Sequence, residues 1–195
     1  GVFMTKLLIK LFIKNADAST QKGRESYGKL AGITGIICNV LLSIMKLIIG
    51  AVSNSVSITA DATNNISDAG SSIVTLVGFR LSGKPADKDH PYGHARIEYI
   101  SSLIISFIIL LIGCSIFKES VIKIFKPEES LFNIATVIIL VVSIIVKLWL
   151  SVFNTYLGKQ IDSKALEATA IDSRNDVITT TAVLIASVIS HFTGF

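Results

Sequence analysis

The sequence predicts an all-α polytopic membrane protein, a helical bundle, and three observations carry that prediction. Of 195 residues, 51% are hydrophobic and only 16% are charged, and the mean hydropathy is +0.66. So few charges cannot solvate so much apolar surface. The apolar residues also fall in runs of membrane-crossing length, not in the short stripes of a soluble core. Finally, lysines and arginines gather at the ends of those runs, so the net charge of +4 reflects topology and asks for no nucleic-acid partner. Cys38 and Cys114 lie inside apolar stretches, which argues against a disulfide framework or a CxxC metal site and leaves them as small packing residues.

Residues 1–26 read as an N-terminal scar, Gly1-Val2-Phe3 before Met4, followed by an amphipathic cytoplasmic segment. Lys6, Lys10 and Lys14 form one stripe, with Leu7, Leu8, Leu11 and Phe12 turned elsewhere, the pattern of a helix lying at the membrane interface. Residues 27–195 read as the transmembrane domain, with spans at about 27–50, 56–81, 95–118, 131–157 and 165–190. Each meets the ~20 residues that cross a ~30 Å hydrocarbon core. The third carries no charge from Tyr99 to Phe117, and the fourth holds the run Ile134 to Leu150 with one lysine, Lys147. The second and fifth are weaker by hydropathy because they carry carboxylates. Twelve Lys and Arg fall on the side of the amino terminus and three on the other. A multi-pass protein of the cell membrane with a cytoplasmic amino terminus follows, and its first partner is the lipid bilayer. Five spans place Phe195 outside. Lys46 and Lys147 read as lysines that snorkel to span ends, without a role.

The second span contains Asp61, Asn64, Asn65 and Asp68, and the fifth contains Asp172 and Asp176. A charge at bilayer depth costs at least ~2.5 kcal/mol, so four aspartates there need a reason. Asn64 and Asp68 share one helix face, as do Asp172 and Asp176, about 40° apart in each pair. Facing one another, they supply three carboxylates and one amide carbonyl, an all-oxygen cage for a divalent cation. The competing reading is that these groups only pair with Arg174, Lys46 or each other and hold helices together; one nearby arginine does not neutralise four carboxylates. Asp61 lies one step nearer the outer surface and reads as a vestibule charge. Glu167 and Arg174, on nearly one face, read as a helix-stabilising or gating pair. Between the second and third spans, Asp87, His90 and His94 suit a second metal site, and they equally suit a hydrated loop whose histidines cap the next helix.

These residues resemble the cation diffusion facilitator family, as a manganese-type member seen in its transmembrane part. The resemblance runs from about Tyr27 onward and rests on three marks. They are Ser55-Val-Ser-Ile58 leading into the polar span, Pro85-Ala-Asp87 followed by His90-Pro-Tyr-Gly-His94-Ala-Arg-Ile-Glu98, and AxxxDxxxD from Ala168 to Asp176. It implies a transport tetrad at Asn64, Asp68, Asp172 and Asp176, a second site at Asp87, His90 and His94, and a sixth span and a cytoplasmic domain beyond Phe195. It also implies a homodimer in the full-length protein. Zinc members carry a histidine where Asp172 stands. Hard oxygen ligands suit Mn²⁺ better than Zn²⁺, although zinc, iron and cadmium stay open.

The expected function is efflux of a divalent cation, manganese first, exchanged for protons. Three crowded carboxylates do not all stay ionised without a cation, so at least one holds a proton when empty. Asp68 and Asp176 are the principal ligands, Asp172 the proton carrier and Asn64 a neutral oxygen. The first, second, fourth and fifth spans rock about the site, with Gly32, Gly35, Gly70 and Ser71-Ser72 allowing close helix approach. A cation channel is the alternative from another class. An enzyme is not expected and no catalytic cofactor is implied, since no HExxH or nucleophile-base motif appears.

Overall fold

The computed structural model describes residues 2–13, 18–52, 56–84, 91, 93, 94, 96–125 and 134–193. The described residues form six helices: α1 Val2–Phe12, α2 Gln21–Val52, α3 Val56–Ser82, α4 Ile97–Phe125, α5 Ile134–Ile161 and α6 Lys164–Thr193. Among the described residues there is no strand. Much of the surface is apolar, and polar side chains are buried beside the apolar core, unlike the pattern of a soluble bundle. Ile33, Ile37, Leu41, Ile44 and Ile48 of α2 and Leu103, Phe107 and Leu110 of α4 are exposed, whereas Asn39, Ser43 and Lys46 of α2 and Ser143, Lys147 and Asn154 of α5 are buried. Among the described residues, three stretches are long and apolar enough to cross a membrane: α2, Ile97–Ser115 of α4, and α5. Helices α3 and α6 are long enough but carry the polar residues of the site.

Two antiparallel hairpins organise the bundle. In the first, α2 lies against α3 because its glycines leave no side chain between them: Gly28 faces the Phe79 ring, Gly32 faces Leu76 and Gly35 faces Ser72. The Ser43 hydroxyl donates across this pair to the Ala62 carbonyl at 3.0 Å. Gly70, expected to assist, meets nothing within 4 Å and plays no part in close packing. In the second hairpin, Asp162 takes the left-handed conformation at φ 47°, and Ser163 N–H reaches back to the Gly158 carbonyl at 3.0 Å. These features close α5 in a Schellman motif. Ser163 then caps α6 through Leu166 N–H, and Ser151 donates to the Ala170 carbonyl at 2.9 Å. A two-residue link therefore fixes α5 against α6. Helix α4 touches both α3 and α6.

At one end of the bundle, polar contacts gather the starts of α2 and α4 and the ends of α3 and α5. Arg24 pairs with Glu98 at 2.7 Å and its other amino group donates to the Ile161 carbonyl, one of the acceptors left open at the end of α5. Gln21 donates to the Ser82 carbonyl at the end of α3. Helix α2 begins six residues before the expected span, since Thr20 caps it by accepting from Gly23 N–H at 3.1 Å. Helix α1 packs Leu8 and Ile9 against the core and leaves Leu7, Leu11 and Phe12 exposed. Cys114, expected as a packing residue, is exposed.

Candidate metal centre

One-turn spacing on two helices builds the site. Asp68 stands twelve residues into α3, and Asp172 and Asp176 stand eight and twelve into α6, at mid-bundle depth. Oxygens of the three carboxylates lie within 4.8 Å of one another. Asp68 and Asp172 are buried, and Asp176 keeps 12% of its side chain exposed. Asn64 donates from Nδ2 to Asp176 Oδ1 at 3.2 Å, which ties the amide to the cluster. All four residues of the expected tetrad thus meet between α3 and α6. Among the described residues no imidazole or thiolate joins the cluster.

A fifth member was not foreseen. Lys147 Nζ donates to Asp68 Oδ2 at 2.5 Å and to Asp176 Oδ2 at 2.6 Å, and the residue is 2% exposed. The snorkelling expectation fails for a geometric reason. Lys147 is thirteen residues from Ile134 and fourteen from Ile161, about 20 Å from either end of α5 and beyond a lysine's reach. That midpoint was the available signal. Its partner Asp68 is 79 positions away, which no local pattern reveals.

Electrostatics explains why a cation belongs here. Ionised carboxylates about 5 Å apart repel by about 3 kcal/mol per pair at an effective dielectric of about 20. An ammonium between two of them offsets that repulsion, so Lys147 supplies part of the compensation expected from a bound proton. Asp68 Oδ1 is nevertheless buried without a hydrogen-bond partner. A buried acceptor without a partner is open to a further ligand, an ordered water or a metal ion. The cluster is under-filled by one ammonium.

The remaining expectations divide. Lys46 is 1% exposed and pairs with Asp61 at 2.8 Å, so it does not snorkel either. Asp61, with 28% of its side chain exposed, stands seven residues before Asp68, roughly 10 Å along α3. Glu167 pairs with Lys164 at 2.8 Å rather than with Arg174, because three residues separate neighbours on a helix while seven span two turns; Arg174 is exposed. Of the second site, Asp87 and His90 lie outside the described residues. His94 stands at the start of α4, where its carbonyl accepts from Ile97 N–H at 2.9 Å, just after Gly93 turns the chain at φ 75°.

The family model for the cation efflux transmembrane domain matches residues 32–195. The manganese efflux system protein MneS of Bacillus subtilis is 34% identical over 165 residues, covering 85% of this chain and 57% of that protein. MneP of the same organism, also a manganese efflux system protein, is 29% identical over 162 residues, 83% of this chain and 54% of that one. The magnetosome protein MamB of Magnetospirillum gryphiswaldense is 31% identical over 157 residues, 80% and 52% respectively. The chain spans about half the length of the curated relatives it matches.

Proposed function

The chain belongs to the cation diffusion facilitator family of cation efflux proteins, a family of transporters rather than enzymes, and from that premise we propose that it forms the membrane part of an exporter that exchanges Mn²⁺ for protons. In this reading α2 to α6 all cross the bilayer, with the amino terminus in the cytoplasm, and Asn64, Asp68, Asp172 and Asp176 hold the metal. The observation that carries it is the mid-bundle cluster of three carboxylates whose oxygens lie within 4.8 Å. Manganese is favoured by two supports. The donors are hard oxygens, which suit Mn²⁺, and the names of MneS and MneP specify manganese efflux.

Proton exchange follows from charge. Three carboxylates against the single ammonium of Lys147 leave an excess of negative charge, which a divalent ion cancels when present. When the ion leaves, protons replace it, because ligands must be deprotonated to bind metal. Rocking of the α2–α3 hairpin against the α5–α6 hairpin would open the site to each side in turn. Reconstitution in vesicles with an imposed pH gradient tests this. Mn²⁺ flux should rise with the gradient and stop when Asp176 is replaced by Ala; flux indifferent to the gradient removes the exchange with protons.

A further inference from the structure

Lys147 places its ammonium within hydrogen-bond distance of Asp68 Oδ2 and Asp176 Oδ2, 2.5 and 2.6 Å away. These are oxygens that a metal held by both carboxylates would need, at roughly 2.0–2.6 Å for hard divalent ions. The two cations compete for one position. We propose that Lys147 is a tethered cation that fills the carboxylate cage between metal ions and is displaced, still charged, whenever a divalent ion binds. Its return to Asp68 and Asp176 helps expel the ion. The proposal rests on the reading of Asp68, Asp172 and Asp176 as metal ligands.

Three features support displacement over a permanent brace. First, the ammonium leaves the cage partly unused. Asp68 Oδ1 is buried without a partner, and the ion pairs of Lys147 reach Asp68 and Asp176 but not Asp172. A divalent ion engages what the ammonium does not, and so can outcompete it. Second, there is a place to retreat. A helical side chain leans toward the preceding turn, and one turn before Lys147 stands Ser143, buried, with an Oγ that has no hydrogen-bond partner. The lysine stem is flexible enough to make that move, which a rigid guanidinium fork is not. Third, the retained charge selects for valence. Three carboxylates and one ammonium leave two negative charges, which one divalent ion cancels and a monovalent ion does not.

The test is titration of the purified protein with Mn²⁺ alone at fixed pH, with release followed by chelator chase. Lys147→Met removes the competing charge on a stem of similar length. It should bind Mn²⁺ at least tenfold tighter and release it at least tenfold more slowly. Lys147→Arg keeps the charge but pairs with carboxylates in a two-point fork that is harder to displace, so its Mn²⁺ affinity should fall at least tenfold. Unchanged or weaker binding in Lys147→Met makes the lysine a brace for the carboxylates and overturns the proposal. Should that variant not fold, Lys147→Arg decides alone, and binding equal to wild type overturns it. Asp172→Asn, which leaves both partners of Lys147 in place, separates the two levels. If it binds Mn²⁺ as wild type does, the metal-site reading itself has failed and the displacement proposal falls with it.

Discussion

Asp172 differs from its two neighbours in lying outside the ion pairs of Lys147, so it is the carboxylate whose chemistry can be altered with least disturbance to the ion-paired core. Replacing it with His introduces a nitrogen ligand one turn from Asp176. The preference between Zn²⁺ and Mn²⁺ should then move toward Zn²⁺ by tenfold or more, read in competition binding; no movement would remove the oxygen-ligand argument for manganese. Asp61 makes a different prediction. Its partner Lys46 is 1% exposed, and breaking a buried pair leaves an uncompensated charge. Asp61→Asn should therefore lower stability by about 3 kcal/mol, seen as a drop in thermal unfolding temperature in detergent. The aspartates and asparagine of the tetrad were legible from one-turn spacing, since period alone places Asn64 beside Asp68 and Asp172 beside Asp176. The lysines were not. A lone lysine in an apolar run reads the same whether it snorkels or pairs, until a distant helix supplies its carboxylate.

At the scale of the element, the two hairpins are held by different means. The α2–α3 pair depends on absent side chains, and a Cβ at Gly32 would stand 2.7 Å from Leu76 Cβ and 3.0 Å from its Cα. Backbone on one side cannot yield without separating the helices. Gly32→Ala should cost about 1–3 kcal/mol by overpacking. Gly70→Ala is the matched control, because its Cβ would enter open space and alanine is the better helix former by about 0.5–1 kcal/mol. Thermal unfolding of both variants checks the pair; equal destabilisation would contradict the packing assignment. Sequence alone ranked these glycines together, since spacing shows a small residue but not what it faces. The α5–α6 pair depends instead on Asp162 and Ser163, a capped two-residue link whose effect is to bring Lys147 and Asp176, on consecutive helices, into one site. Helix α2 starts at Gln21, ahead of its apolar run, because a cap at Thr20 and not hydropathy sets a helix start.

For the whole molecule, charges lie at three depths. Arg24–Glu98 stands where α2, α4 and α5 meet at one end, the Lys147 cluster at mid-bundle, and Lys46–Asp61 toward the other end. The apolar exterior was legible from composition, whereas the inner pairing was not, because each pair joins residues on different helices. Metal and protons compete for the same carboxylates, so Mn²⁺ affinity should rise as pH rises and weaken as it falls. Titrations at several pH values check the sign; a constant affinity would speak against linked proton release. Whether the mid-bundle carboxylates hold a divalent ion is read directly by electron paramagnetic resonance of Mn²⁺ added to the purified protein. Wild type should remove one equivalent of the free-ion signal, and Asp172→Asn and Asp176→Asn should each weaken this uptake at least tenfold. Uptake unchanged in both variants would contradict a metal site at these carboxylates.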